Sequence, residues 1–288
     1  MLPPDRVVLN AVERRAAVID VIRHARSRLS LSLFRCNDKE IFRELRAAVG
    51  RGVDVEVVVT SRAKGGKKKL RKLWQRLEDT GATVHAYNDP VVKYHAKYVV
   101  ADDGPALVAS LNFTKKCFAR TSDAIVITWD PDVIAGLRQL MATDRDGIAA
   151  PESLPSRLIL GPERARRQFT DLFQQATSSI LLIDPKLSDP GILGLLDERR
   201  AAGVTVHVHD AERVGDLKSH GKIMLIDGTR VVVGSLALTA LSLDFRREVA
   251  IETTDPAVVS DIQSLFRTLG VTAALPGAVP AAAGGASC

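Results

Sequence analysis

One spacing pattern occurs twice in this 288-residue chain: a histidine, a lysine two residues on, an aspartate at seven, a serine at fifteen and a carboxylate at twenty-eight. The first copy is His95, Lys97, Asp102, Ser110 and Asp123, and the second is His220, Lys222, Asp227, Ser235 and Glu248. Two copies in such agreement mark an internal duplication, which commits the chain to two halves of like fold. The flanking segments agree, since Arg28-Leu29-Ser30-Leu31 aligns with Ser179-Ile180-Leu181-Leu182 and Gly52-Val53-Asp54-Val55 with Gly203-Val204-Thr205-Val206. These pairs lie 151 residues apart and the motifs 125 apart, so the first half holds 26 extra residues between them.

Strand-like runs stand at residues 29–34, 53–60, 83–87, 94–101, 106–110 and 124–129, and again at 180–184, 204–209, 222–226, 231–235 and 249–252. Helical patterns separate them, at 163–176, 191–202 and 256–269 in the second half. Alternation of this kind predicts an α/β/α sandwich in each half. Aromatic residues make up only 5% of the chain against 46% apolar residues, so the core has to be built from Val, Leu, Ile and Ala. The proline-marked stretch at 149–156 is the natural connection, dividing the chain into a first half, 1–150, and a second, 151–270. The Ala/Gly/Pro run 271–288, without charge, is expected to be a disordered tail.

No stretch reaches the roughly 18 apolar residues of a membrane span, and the first residues show no signal-peptide pattern. Cys36, Cys117 and Cys288 are too few and too scattered for a disulfide framework or a thiol zinc cluster. A cytoplasmic protein is expected, with peripheral contact at an anionic membrane as the variant. The net charge of +6 is unevenly held: residues 1–150 carry 26 Lys and Arg against 18 Asp and Glu, and the remainder 14 against 16. A basic first half favours a phosphate-bearing partner, nucleic acid or anionic lipid.

A histidine, a lysine and hydroxyl or amide donors, present in duplicate, suit phosphoryl transfer without a metal or cofactor. On strands, residues two apart share a face, so His95 and Lys97, like His220 and Lys222, are expected to address one anion. Ser110, Asn112 and Ser235 then supply hydrogen bonds to it. One imidazole can attack phosphorus while the other protonates the leaving oxygen, and the lysines neutralise the non-bridging oxygens. Asp123 and Glu248 suit the far nitrogens of the histidines. Asp102 and Asp227, at odd offsets before turns, read as structural.

The residues His95-x-Lys97-x4-Asp102 and His220-x-Lys222-x4-Asp227, each followed by a serine, resemble the phospholipase D superfamily, whose mark is a duplicated H-x-K-x4-D motif followed by G-S-x-N. The resemblance spans roughly residues 8–269. It implies two α/β/α halves about a pseudo-two-fold axis, one active site between them, and a covalent phosphohistidine. It also implies that His95 is the nucleophile and His220 the general acid and then base, although the duplication permits the reverse. The sequence departs from the pattern at Ala109, at Ala237, which removes the second asparagine, and at Asp123, one methylene shorter than the family's glutamate, which reduces its reach toward His95.

The basic segment at 62–72 leads into Leu70, Leu73, Trp74 and Leu77, the spacing of an amphipathic helix. Lys64, Lys67, Lys68, Lys69, Arg71 and Lys72 form a candidate patch for an anionic substrate, to which Lys115, Lys116, Arg120, Arg246 and Arg247 add. His24, His85, His207 and His209 read as structural, and no metal site is expected. The resulting expectation is a metal-independent phosphodiesterase, with phospholipid hydrolysis or transphosphatidylation favoured. A nuclease of the same superfamily and an inactive phosphate-binding scaffold are the alternatives. One chain can complete its own site, so a monomer suffices.

Overall fold

Valine-rich runs flanked by glycine or aspartate set out the strands, and the apolar stripes between them set out the helices that cover their faces. The computed structural model describes residues 2–62 and 66–271. Lys64 of the basic segment, and the expected tail beyond Val271, lie outside the described residues.

Seven strands form the first sheet, in the order Arg6–Val8, Ile125–Thr128, Ala106–Ala109, Tyr98–Ala101, Arg28–Leu33, Asp54–Thr60 and Thr83–Tyr87. The last three pair in parallel and the rest antiparallel. The second sheet repeats the order with Leu158–Gly161, Arg246–Thr253, Arg230–Gly234, Ile223–Ile226, Ser179–Ile183 and Thr205–His209. What the first half adds is the helix Lys67–Glu78 and the strand Thr83–Tyr87, which account for its extra length.

Strand alternation sorts the core into layers. Tyr98, Val100, Val108 and Val126 of one sheet meet Leu181, Leu225, Val233 and Ile251 of the other, together with the helices Pro131–Asp146 and Pro256–Thr268. The alternate residues Val99, Ala101 and Leu107 face outward beneath Ala11–His24 and Lys39–Gly50. Burying one such Val or Leu is worth about 1.5–3 kcal/mol, and this central layer joins the halves into one body.

The duplication extends to helix caps. Thr114 and Thr239 cap the short helices Lys115–Arg120 and Ala240–Phe245, and Asp130 and Asp255 cap the two inner helices ahead of a proline. Asp102 and Asp227 adopt positive φ, 41° and 51°. The Asp102 carboxylate accepts from the backbone N–H groups of Arg26, Ser27 and Arg28, and that of Asp227 from Thr177, Ser178 and Ser179. Each aspartate thus ties the turn after a motif strand to the start of its neighbour.

One expectation is corrected. The sequence pattern puts the first motif on a continuous strand, 94–101, but the backbone is extended in the sheet only at Lys93–Tyr94 and Tyr98–Ala101, and His95 to Lys97 lie between. The preceding pair leaves its own sheet: Lys93 and Tyr94 run parallel to Arg246 and Arg247 of the second half. The mirror event is Lys218 and Ser219 pairing in parallel with Thr121 and Ser122 of the first. In each copy the backbone before the histidine is thus hydrogen-bonded to the backbone before the opposite half's distal carboxylate.

Candidate active site

That exchange of strands decides which carboxylate meets which histidine. Asp123 does not serve His95. Its Oδ1 and Oδ2 lie 2.9 and 3.1 Å from Nδ1 of His220, and Glu248 lies against Nδ1 of His95. An ionised carboxylate only accepts, so His220 carries its proton on Nδ1 and leaves Nε2 free.

A close approach makes the second contact: Gly221 N–H donates to Ser122 O at 2.6 Å, and a Cβ built on Gly221 would lie 2.8 Å from that oxygen and 3.1 Å from Asp123 Cα. Glycine between His220 and Lys222 is therefore a requirement of the fit, whereas the first motif accommodates Ala96. On the other side, His95 N–H donates to Arg247 O at 2.9 Å.

The two pairs are unequal. Asp123 also accepts from Ser110 Oγ at 2.7 Å and Thr121 Oγ1 at 2.6 Å. Burial alone would raise its pKa, but the hydrogen bonds from His220, Thr121 and Ser110 outweigh this and hold it below the ordinary aspartate value. Glu248 is fully buried, and neither of its oxygens has a well-formed hydrogen bond. Burial raises its pKa, against the pull of Lys97, Arg246 and Lys222. His95, desolvated and crowded by Lys97, Arg246, Lys222 and Lys186, is held well below the usual histidine range and stays neutral.

Lys97 and Lys222 turn their ammonium groups back onto the carbonyls of their own histidines. Lys97 Nζ lies 3.0 Å from His95 Nδ1. Burial and the neighbouring cations bring Lys97 down to about 7, despite the opposing pull of Glu248. Such a knot of positive charge around partly buried imidazole is a site built for an anion.

The remaining expected site residues fall out separately. The Ser110 hydroxyl hydrogen is committed to Asp123, and Ser235 Oγ lies 3.2 Å from Val249 O while accepting from Val249 N–H. Asn112 has a buried Oδ1 without a hydrogen-bond partner and lines a cavity of about 460 Å³ together with His220. Arg247 does not add to the exposed positive field: only 3% exposed, it is clamped by Asp144 at 2.7 Å and by Glu163 at 2.5 and 2.6 Å. Burial raises Asp144 to about 7 even so.

The cavity at His220 and Asn112 adjoins a second of about 730 Å³, the two sharing Arg35, Thr114 and Lys116. Of the candidate basic patch, Lys69 and Lys72 line this groove; Lys67, Lys68 and Arg71 are exposed on the same helix without lining it. Arg76, Lys115, Lys186 and Lys218 complete its cationic lining, and no carboxylate is among the described residues that form either cavity. Arg35 and Lys186 went unread in the sequence although they occupy equivalent positions, 151 residues apart. Phe34 packs on His95, with ring centroids 4.4 Å apart, and carries the Arg35 guanidinium at 5.0 Å.

Among the described residues no helix is long and apolar enough to cross a membrane. No curated protein matches the chain. Among solved structures, a polyphosphate kinase from Porphyromonas gingivalis superposes with a TM-score of 0.78 at 20% identity, over 94% of this chain and 48% of that one. This chain thus spans about half the length of that enzyme. A phosphatidylserine synthase from Haemophilus influenzae superposes with a TM-score of 0.70 at 13% identity, over 92% of this chain and 86% of that one. Both likenesses concern the fold. The family profile described as cardiolipin synthase, PLD-like domain, matches residues 18–145 and 181–269, most of the sequence and both motifs. The chain therefore belongs to the phospholipase D-like family.

Proposed function

We propose that the protein cleaves or transfers a phosphodiester through a phosphohistidine on His95, with His220 as acid and then base. The observation that carries this reading is the inequality of the two crossed pairs. His95 is kept neutral and has its nucleophilic lone pair available, while His220 has an ionised carboxylate on Nδ1 to support an imidazolium. In the first step, with His220 entering as the imidazolium, His95 forms a bond to phosphorus, the bond from phosphorus to the leaving oxygen breaks, and that oxygen takes the proton from Nε2 of His220, which is left neutral with its proton on Nδ1. In the second, His220 removes a proton from water or an alcohol, whose oxygen displaces His95. Lys97 and Lys222 neutralise the non-bridging oxygens once their ammonium groups swing from the carbonyls of His95 and His220 to the bound phosphate.

For the substrate, the groove supports a single-stranded polynucleotide over the phospholipid that the motifs alone favoured. A headgroup needs one phosphate site, whereas Arg35, Lys69, Lys72, Arg76 and Lys116 extend the positive lining away from the histidines. Phe34 carries the Arg35 guanidinium on its ring beside the reacting histidine, and that guanidinium suits a stacked base. The phospholipid reading keeps one specific observation. Leu241 and Phe245, 41% and 48% exposed and one helical turn apart, stand where the first half has Lys116 and Arg120, giving the second half an apolar edge next to Arg246.

The test is turnover in EDTA with labelled single-stranded DNA and RNA and with phospholipid vesicles, using His95→Ala and His220→Ala as controls. Strand cleavage lost in both variants supports the reading. Replacing Lys69, Lys72 and Arg76 together by Ala should weaken strand binding and lower the salt slope by about 2, at about 0.7 per phosphate contact. Headgroup release without strand cleavage overturns the substrate; cleavage that survives both histidine variants overturns the site. Binding without turnover points to a scaffold.

A further inference from the structure

Cys117 is a buried free cysteine, and the mechanism makes no use of it. Its sulfur nevertheless shares a corner of the molecule with the best-braced pair of the site. One ligand atom each from Cys117, Asp123 and His220 lie within 4.8 Å of one another, the first two residues buried and the histidine partly so. We propose that these three side chains form a site for one Zn²⁺ ion, and that the ion inhibits the enzyme.

The donor set is the first reason. Thiolate, carboxylate and imidazole are the three protein ligand types of zinc, and three of them leave the fourth tetrahedral position open. With bonds of about 2.0–2.3 Å, ligand atoms sit roughly 3.5 Å apart, so the side chains close in by about 1 Å. Access is the second reason. Cys117, Thr121 and His220 all line the cavity of about 460 Å³, through which an ion reaches the cluster. Charge is the third. Zn²⁺ meets the Asp123 carboxylate and a Cys117 thiolate, and binding releases one proton, from the thiol, to solvent. The sulfur donor selects Zn²⁺ over Mg²⁺ and Ca²⁺, ions without affinity for thiolate, and outweighs the positive charge of the buried Arg14, whose guanidinium rests on Thr121 O and Leu9 O.

Inhibition follows from the nitrogen involved. The metal takes Nδ1 and Asp123 together, so the ring proton moves to Nε2, and His220 can no longer accept a proton there. The second half has no such site at the equivalent place, since Ser242 stands six residues before Glu248, as Cys117 does before Asp123.

The inhibition rests on the two-histidine reading, but the metal site does not, and a Co²⁺ titration of the full chain reads the site without turnover. A thiolate-to-cobalt charge-transfer band with tetrahedral d–d absorption, abolished by one equivalent of Zn²⁺, is expected. Cys117→Ser should abolish the band and, measured against its own activity in EDTA, raise the Zn²⁺ concentration for half-inhibition at least tenfold. Cys117→Ala, compared by thermal melting in EDTA, guards against misfolding of the serine variant, and Cys36→Ser should change nothing. Absence of the band, or a band and inhibition that persist in both Cys117 variants, overturns the proposal. A band without any turnover on any substrate would uphold the metal site while sinking the proposed function.

Discussion

Asp123 of the first half accepts a 2.9 Å hydrogen bond from Nδ1 of His220 in the second, 97 residues away, and its other oxygen is held by Thr121. Each half thus supplies the carboxylate for the other half's histidine. Asp123, the shorter of the two carboxylates, is matched to His220.

This pairing separates the roles of the two carboxylates. Asp123→Asn removes the charge that supports the His220 imidazolium and should lower turnover of a natural diester by roughly 10²- to 10⁴-fold. A p-nitrophenyl diester, whose leaving group needs no proton, should lose far less in the first step. Burst kinetics on the two substrates measure this; equal losses on both would sink the assignment of His220 as the acid.

Gly221 is a second determinant. Because a Cβ there meets Ser122 O and Asp123 Cα, Gly221→Ala should push His220 off Asp123. Turnover should fall more than tenfold, with a stability loss of about 1–3 kcal/mol from overpacking. Steady-state kinetics beside urea unfolding would report both, and unchanged kcat would show that the contact is incidental.

Arg247 holds the seam between the halves at Asp144, Glu163 and Gly161 O, while its carbonyl receives the His95 N–H. Asp144→Ala leaves a buried guanidinium with one carboxylate and should cost about 3 kcal/mol. His95→Ala, which keeps that backbone bond, should melt within a degree or two of the native protein. Thermal melts of both variants test the contrast, and a near-native Asp144→Ala would show that the seam does not depend on this clamp.

Acid should expose the structural aspartates. Burial raises the pKa of Asp102 and Asp227, but the backbone N–H bonds dominate and bring both to about 2. A carboxyl depressed in the folded state contributes stability above its unfolded pKa, near 4, and loses that contribution as pH falls through about 2. Stability should therefore fall between about pH 4 and pH 2, with a shallower slope in the double variant Asp102→Asn, Asp227→Asn. Urea midpoints across that range decide it, and an unaltered slope would assign the acid sensitivity elsewhere.

Much of the site could be read from spacing. The duplicated histidines, lysines and distal carboxylates occur together, and alternation placed most strands within a residue or two, because buried strands of Val, Leu and Ile leave a local signature. The segments around His95 and His220 were harder. Lys93–Tyr94 and Lys218–Ser219 have no alternation of their own, since their hydrogen bonds go to the opposite half. The groove was half visible: the lysine run announced a basic helix, but which of its cations turn inward depends on how Leu73 and Leu77 seat it.

By itself, the sequence determined that the chain is a duplicated α/β fold of the phospholipase D-like family carrying two His-Lys motifs, because repetition and periodicity are properties of order along the chain. Only the tertiary structure decided that Asp123 belongs to His220 and Glu248 to His95, that Ser110 braces a carboxylate, and that Cys117 stands beside them. Those relations depend on two short parallel pairings between segments remote in sequence, and on a glycine small enough to let them close. No local pattern encodes such contacts, since their energy is realised only when both sheets are packed.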